Sequence, residues 1–232
     1  ADLSKAWQRV RDDHAVRVAI VTGAGEKSFC VGADIKSFLT QPPGFEDMWL
    51  TQKDQLLNRG LEVWKPVIAA VNGVCAGGGL HFVSDADIVI AADTATFLDP
   101  HVSIGQVSAY ETIALARKSP MESVMRMALV GRWERVDAHR AYELGILSEV
   151  VPAAELRDRA QALGETIARN SPAAMAATKR ALWGALEAGL TDACRAGAQE
   201  LVGMWGHPDQ EEGPRAFAER REAAWDPGTT GA

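Results

Sequence analysis

Cysteine is scarce in this chain. There are three, Cys30, Cys75 and Cys194, widely spaced and without a C-x-x-C pair. An odd, scattered set argues against a disulfide framework or a thiolate zinc site, and reads as reduced thiols in a cytosolic protein. Long apolar runs are missing too. No stretch approaches the roughly 20 residues of a membrane-spanning helix, and the opening ADLSKAWQRVRDDHAVRV has no signal-peptide apolar core. Positive charge is in deficit, 24 Lys and Arg against 31 Asp and Glu, for a net charge of -7. That argues against nucleic acid as the main partner, although backbone amides and a few cations can still hold an anionic ligand. Low-complexity tracts, linkers and sequence repeats are absent.

What is present suits a large core. Of 232 residues, 47% are hydrophobic, enough for a single sizeable α/β domain. Leu3–Asp12 has its apolar residues at helical spacing. VRVAIVTGAG (Val16–Gly25) reads as a buried strand ending in a turn, with irregular sequence to about Asp34. A helix is predicted over Pro43–Trp64, a buried strand over Pro66–Gly73, a helix from about Gly78 to Asp85, and strands over Asp87–Ala91 and Ala95–Leu98. From Ser108 onward the pattern is almost wholly helical. One helix ends near Asn170 and a proline opens the next. The first half is therefore strand–helix units and the second a helical layer.

Two glycine loops stand out. TGAGEKS (Thr22–Ser28) follows a strand, but lacks the third glycine of the dinucleotide fingerprint and the glycine that precedes Lys-Ser in a phosphate loop. It reads as a strand-to-loop turn. CAGGGL (Cys75–Leu80) is more informative. A backbone that presents its amides to a ligand carries no bulky side chains there, and a helix start aims free N–H groups at the same place. The plain alternative is that these glycines only let the helix pack.

Taken together, RVAIVTGAGEKSFCVGADIKSF, PVIAAVNGVCAGGGLHFVSDADIVIAAD and FLDPHVSIG resemble the enoyl-CoA hydratase/isomerase (crotonase) family in order and spacing. LVGRWERVDAHRAYELGILSEVV, SPAAMAATKRAL and GPRAFAERREAAW extend the likeness over almost the whole chain. The resemblance implies an α/β crotonase-like spiral of strand–strand–helix repeats with a helical C-terminal trimerisation region, assembled as a homotrimer or a dimer of trimers. Residues 1–170 would be the spiral core, lacking its first strands, and 171–232 the helical region of the same domain. It also implies an acyl-CoA or related carbonyl substrate, with coenzyme A as part of the substrate and no further cofactor. Two backbone amides, by position Ala33 and Gly78, would polarise the thioester carbonyl. Gly32, Asp34, Ile35, Gly77 and Phe38 fall at substrate-binding positions. Phe38, Phe45, Met48 and Trp49 would make an apolar acyl pocket wall.

The sequence departs from the family where the chemistry lies. The two glutamates of the hydratases fall on His81 and His101, and the glycine-rich turn after the second is replaced by GQVSAYE. A histidine in an apolar segment is ordinarily a core residue, but two at aligned positions point to the reaction centre. Imidazole does acid–base work near neutral pH without a large pKa rise. His81, in a first helical turn, should be largely neutral. Asp85 could orient it, or be an ordinary structural carboxylate. Asp99 or Glu111 could orient His101, and Glu111 is a further candidate catalytic residue. No metal-ligand spacing is evident. Three functions remain open: a hydratase- or isomerase-like lyase, a β-diketone C–C hydrolase with histidine-activated water, and a non-catalytic acyl-CoA binder.

Overall fold

The computed structural model describes residues 2–34, 44–46, 58 and 60–227. The chain divides into two compact units, one of Ala1–Ala19, Glu62–Pro66 and Leu163–Ala232, the other of Ile20–Leu61 and Val67–Ala162. Among the described residues, no helix is long and apolar enough to cross a membrane.

The second unit holds two four-stranded sheets. β1 (Ala19–Thr22), β3 (Val67–Val71), β5 (Ile88–Ala92) and β8 (Glu149–Val151) lie side by side in one. β2 (Ser28–Cys30), β4 (Val74–Ala76), β6 (Thr96–Leu98) and β7 (Val136–Asp137) form the other. The chain alternates between them. β3 enters the first sheet, β4 the second, and α2 (Leu80–Asp85) follows. β5 and β6 repeat the step before α3 (Tyr110–Ala116). This is the strand–strand–helix repeat of the crotonase-like α/β fold. The continuous apolar run of β3 is explained by its position, for all five residues are buried and Ile68–Val71 pair in parallel with Ile88–Ala91. Only β7 runs antiparallel to its neighbour β6 among the registered pairs.

Three sequence expectations change. The residues from Gly25 to Asp34 are not all irregular, since Ser28–Cys30 form β2. GVCA likewise supplies β4. Each is three residues long, too short for a periodicity to show. The helix expected over Pro43–Trp64 falls mostly outside the described residues, but it does not reach Trp64. Residues 60–62 are a turn, and Glu62 has φ 56, which no right-handed helix contains. The TGAG turn is tied internally: Gly23 N donates to Asn72 Oδ1 at 2.9 Å, and Asn72 Nδ2 donates to Gly25 O at 2.9 Å.

Among the described residues, the unit's remaining helices are α4 (Met121–Val130), α5 (Ala138–Glu143) and the start of α6 (Leu156–Ala168). The first unit contains α1 (Asp2–Asp12), the end of α6, α7 (Pro172–Ala185), α8 (Leu190–Gly203) and α9 (Pro208–Glu219). Ser171 caps α7, accepting from Ala174 N at 3.1 Å, with Pro172 at the first helical position. Its hydroxyl donates to buried Asp209 at 2.5 Å, and Asp209 also accepts from Asp226 N at 2.8 Å, tying the tail to α9. Arg221, the Ala224 amide and Arg215 surround the Glu212 carboxylate and hold its pKa far below the usual range.

Candidate active site

The GGG stretch is a 3-10 turn, Gly77–Gly79, that runs directly into α2. β4 delivers it, and the neighbouring parallel strand β2 delivers the loop with Gly32 and Ala33. These two loop starts touch. A side chain on Gly32 would stand 3.2 Å from Gly78 N, and one on Gly78 would stand 3.2 Å from Gly32 Cα and 3.9 Å from Ala33 N. Gly32 also has φ 91, a conformation that suits glycine. Among the described residues neither Ala33 N–H nor Gly78 N–H has a hydrogen-bond acceptor. Among the described residues, two amide donors on adjoining loops thus have no acceptor. Asp34 is exposed beside them, and Gly77, at φ 50, begins the turn. Ile35, Phe38, Met48 and Trp49 lie outside the described residues, and Phe45 is exposed.

His81 is the second residue of α2 and is buried. His101 opens a second 3-10 turn, His101–Ile104, just after β6. Its ring borders the glycine turn, with Cε1 3.5 Å from where a Gly77 side chain would begin. Glu111, in the first turn of α3 and buried, lies between the two rings. Its Oε2 is 3.5 Å from His81 Nε2 and its Oε1 is 3.2 Å from His101 Nδ1. Asp99, wholly buried, is the nearer partner of His101, with Oδ1 2.5 Å from Nδ1 and 3.1 Å from the His101 backbone nitrogen. Both Asp99 and Glu111 therefore face His101.

Asp85 is occupied elsewhere. Its Oδ2 accepts from Asn58 N at 2.7 Å and from the Asn58 side-chain amide, which also donates to Asp85 O at 3.0 Å. Lys118 closes the same end of α2, donating to Ser84 O at 3.0 Å and Ala86 O at 2.7 Å. A cation there suits the negative end of the helix.

The environments drive the two imidazoles apart. Burial pushes His81 down from its ordinary value, and His101 adds to this, against the opposing pull of Glu111 and Asp99. The hydrogen bond to Asp99 holds His101 above its ordinary value despite burial, and Glu111 adds to the rise. Burial alone would raise the Asp99 carboxyl, but the hydrogen bonds from His101 and Ser108 outweigh it and keep it low. Between the two titrations the site thus holds a neutral His81 beside a protonated His101. Such a split pair can accept a proton at one ring and donate one at the other.

Asp99, His101 and Glu111 also offer ligand atoms within 4.8 Å of one another. The 2.5 Å separation of Asp99 Oδ1 and His101 Nδ1 suits a shared proton. Two ligands on one tetrahedral zinc stand about 3.3 Å apart, so the pair would have to open to admit a metal.

Ser108 and Thr112 escaped the sequence reading. The Ser108 hydroxyl bonds Asp99 Oδ2 and lies 2.9 Å from Thr112 Oγ1. The signal for Ser108 was the replaced turn, GQVSAYE, which carries both Ser108 on Asp99 and Glu111 on the histidines; Thr112 follows it directly.

Comparison with known proteins agrees with this architecture. The family description "Enoyl-CoA hydratase/isomerase" matches residues 1–228. The (E)-benzylidenesuccinyl-CoA hydratase of Thauera aromatica is 38% identical over 232 residues, covering 97% of this chain and 87% of that one. Carnitinyl-CoA dehydratase of Proteus mirabilis is 35% identical over 229 residues, with the same coverage of 97% and 87%. The crystal structure of an enoyl-CoA hydratase/isomerase from Mycobacterium paratuberculosis superposes with a TM-score of 0.87 at 37% identity, over 97% of this chain and 86% of that one. The chain belongs to the enoyl-CoA hydratase/isomerase family of CoA-thioester enzymes.

Proposed function

We propose that this enzyme adds water to, or removes it from, the 2,3-bond of an acyl-CoA thioester, with imidazoles as its acid and base. What supports this is the grouping of His81 and His101 around Glu111, near two amides that have no acceptor among the described residues. The Ala33 and Gly78 N–H groups hold the thioester oxygen and stabilise the enolate that forms there, each worth about 3 kcal/mol when preorganised. In hydration, neutral His81 takes a proton from water as the oxygen bonds to Cβ. The π electrons move to the thioester oxygen. Protonated His101 then supplies the proton to Cα as the carbonyl reforms. His81 then gives its proton up to solvent and His101 takes one back, which restores the starting pair. Dehydration runs the same steps backward, from a protonated His81 and a neutral His101. Glu111 gives either ring a counter-charge when it is protonated. Coenzyme A enters as part of the substrate, and the reading calls for no further cofactor or metal. Assembly as a trimer or dimer of trimers, in the cytosol, belongs to the same proposal.

The test is a turnover assay with crotonyl-CoA, (E)-benzylidenesuccinyl-CoA and carnitinyl-CoA, and a cyclic β-diketone in parallel. His81→Ala and His101→Ala serve as controls. Hydration or dehydration that both substitutions abolish supports the reading. Cleavage of the diketone without reaction of any thioester would replace it with C–C hydrolysis. CoA-thioester binding without turnover of any of them would leave a binding protein and overturn it.

A further inference from the structure

The two imidazoles are not held alike. His81 has Glu111 at 3.5 Å, beyond a good hydrogen bond. His101 is gripped twice by one oxygen of Asp99, at its backbone nitrogen and at Nδ1. The other Asp99 oxygen takes the Ser108 hydroxyl. An ionised carboxylate only accepts, so both donors must direct their hydrogens at it. Nδ1 therefore carries a hydrogen, and the Ser108 hydrogen points at Oδ2. With the Ser108 hydrogen on Asp99, the one Thr112 hydrogen goes either to Ser108 Oγ, 2.9 Å away, or to Ala109 O, 3.1 Å away. With both oxygens engaged, Asp99 cannot rotate without losing a bond to a buried charge. The ring atom left over is Nε2, bonded to the Cε1 that borders Gly77. No described residue is hydrogen-bonded to it.

We propose that Ser108 and Asp99 form a positioning chain that fixes His101 as the Nδ1–H tautomer and presents Nε2 to the substrate's α-carbon. Only the α-carbon assignment rests on the proposed function; the tautomer and the chain do not. A carboxylate bonded to the far nitrogen of an imidazole sets both the ring's orientation and its proton affinity. The groups facing His101 are Asp99 at the end of β6, Glu111 on α3 and His81 on α2. The elements packed on its 3-10 turn add Arg132, whose guanidinium lies over Trp133, and on α4 Glu122 and Arg126, the latter bound to Glu134. Asp99 has the shortest contact with the ring and is the one through which Ser108 can act.

The test uses the full chain labelled with 15N-histidine, without substrate, with His101→Gln identifying the His101 signals among five histidines. The wild type should show His101 as the Nδ1–H tautomer, titrating above the ordinary histidine value. Asp99→Asn should yield mixed tautomers and a lower titration point. Ser108→Ala should shift both partway, and Ser108→Thr should restore them. An Nε2–H tautomer in the wild type, or His101 signals unmoved in Ser108→Ala, overturns the proposal, even if Asp99→Asn fails to fold. With whichever thioester turns over, kcat should fall about 100-fold in Asp99→Asn and about tenfold in Ser108→Ala, with KM little changed. NMR shifts as stated but an unchanged kcat would retain the positioning chain and remove His101 from the proposed chemistry.

Discussion

The site has a backbone half and a side-chain half, and they are built by different means. The backbone half, Gly32–Ala33 and Gly77–Gly78, hangs on two adjacent parallel strands, β2 and β4, and its fit depends on the absence of side chains. The side-chain half, His81, Asp99, His101 and Glu111, comes from two helices and a strand end, and its fit depends on hydrogen bonds between charged groups. Geometry in the first is fixed by the sheet. In the second it is fixed by protonation. The first half should therefore fail through stability, and the second through catalysis with the fold intact.

The largest effect expected on this contrast is in the side-chain half. His81→Gln and His101→Gln should each lower kcat by about 100- to 10,000-fold while CoA-thioester binding stays near wild type; the melting temperature should hold in His81→Gln and fall in His101→Gln, which takes the charged partner from buried Asp99. Steady-state kinetics beside a binding titration separates the two. A loss of binding equal to the loss of turnover would erase the distinction. For the backbone half, Gly79→Ala is the matching probe. Its new Cβ would lie 2.2 Å from Cys30 O, which is main chain of β2 and cannot swing away. Destabilisation of about 3 kcal/mol is expected, read as a lower denaturant midpoint. A stable variant that merely loses activity would contradict the sheet-based account.

The pH profile sharpens the contrast within the side-chain half. The proposed hydration needs His81 neutral and His101 protonated, and their shifts lie on opposite sides of the ordinary value of 6.5. kcat/KM should be bell-shaped, falling in acid as His81 protonates below 6.5 and falling in base as His101 loses its proton above 6.5. Asp99→Asn should draw the basic limb inward and leave the acid limb nearly in place. The same raised ring carries a stability signature. Its contribution is full below the unfolded value and is lost as pH rises through the folded one. A profile with no basic limb would remove His101 as the acid. The smallest effect expected is at Lys118. Replacing it by Met frees the Ser84 and Ala86 carbonyls at the end of α2 and should cost about 1 kcal/mol, with a few-fold change in kcat through the His81 helix. Thermal melts and kinetics on the same preparation would show whether the helix end matters to the chemistry at all.

Much of this was legible in the sequence, and the limits are physical. β3 and β5 announced themselves as apolar runs because both faces are buried. Gly32, Gly77 and Gly78 were legible because a glycine is the visible trace of a close approach. β2 and β4 were not, since three residues carry no period. His81 and His101 were found by position. Asp99 beside His101 was legible too, but Ser108, nine residues from Asp99, and Asn58, 27 from Asp85, were not, because no local rule pairs such groups. Glu111 was a candidate only because it stood where a small residue belonged. Its place between the rings needed α3 folded against α2.

The pairing of β2 with β4 has a consequence for how such an enzyme changes over generations. A point mutation to any residue but proline alters a side chain and leaves the peptide N–H in place. While the two strands stay in register, the paired amides pass unchanged through every such substitution the sheet tolerates. On the roles proposed above, a lineage can therefore exchange one set of acid–base groups for another, carboxylates for imidazoles, without surrendering its hold on the carbonyl in between. The part of the site that cannot mutate gives the part that can its freedom to vary.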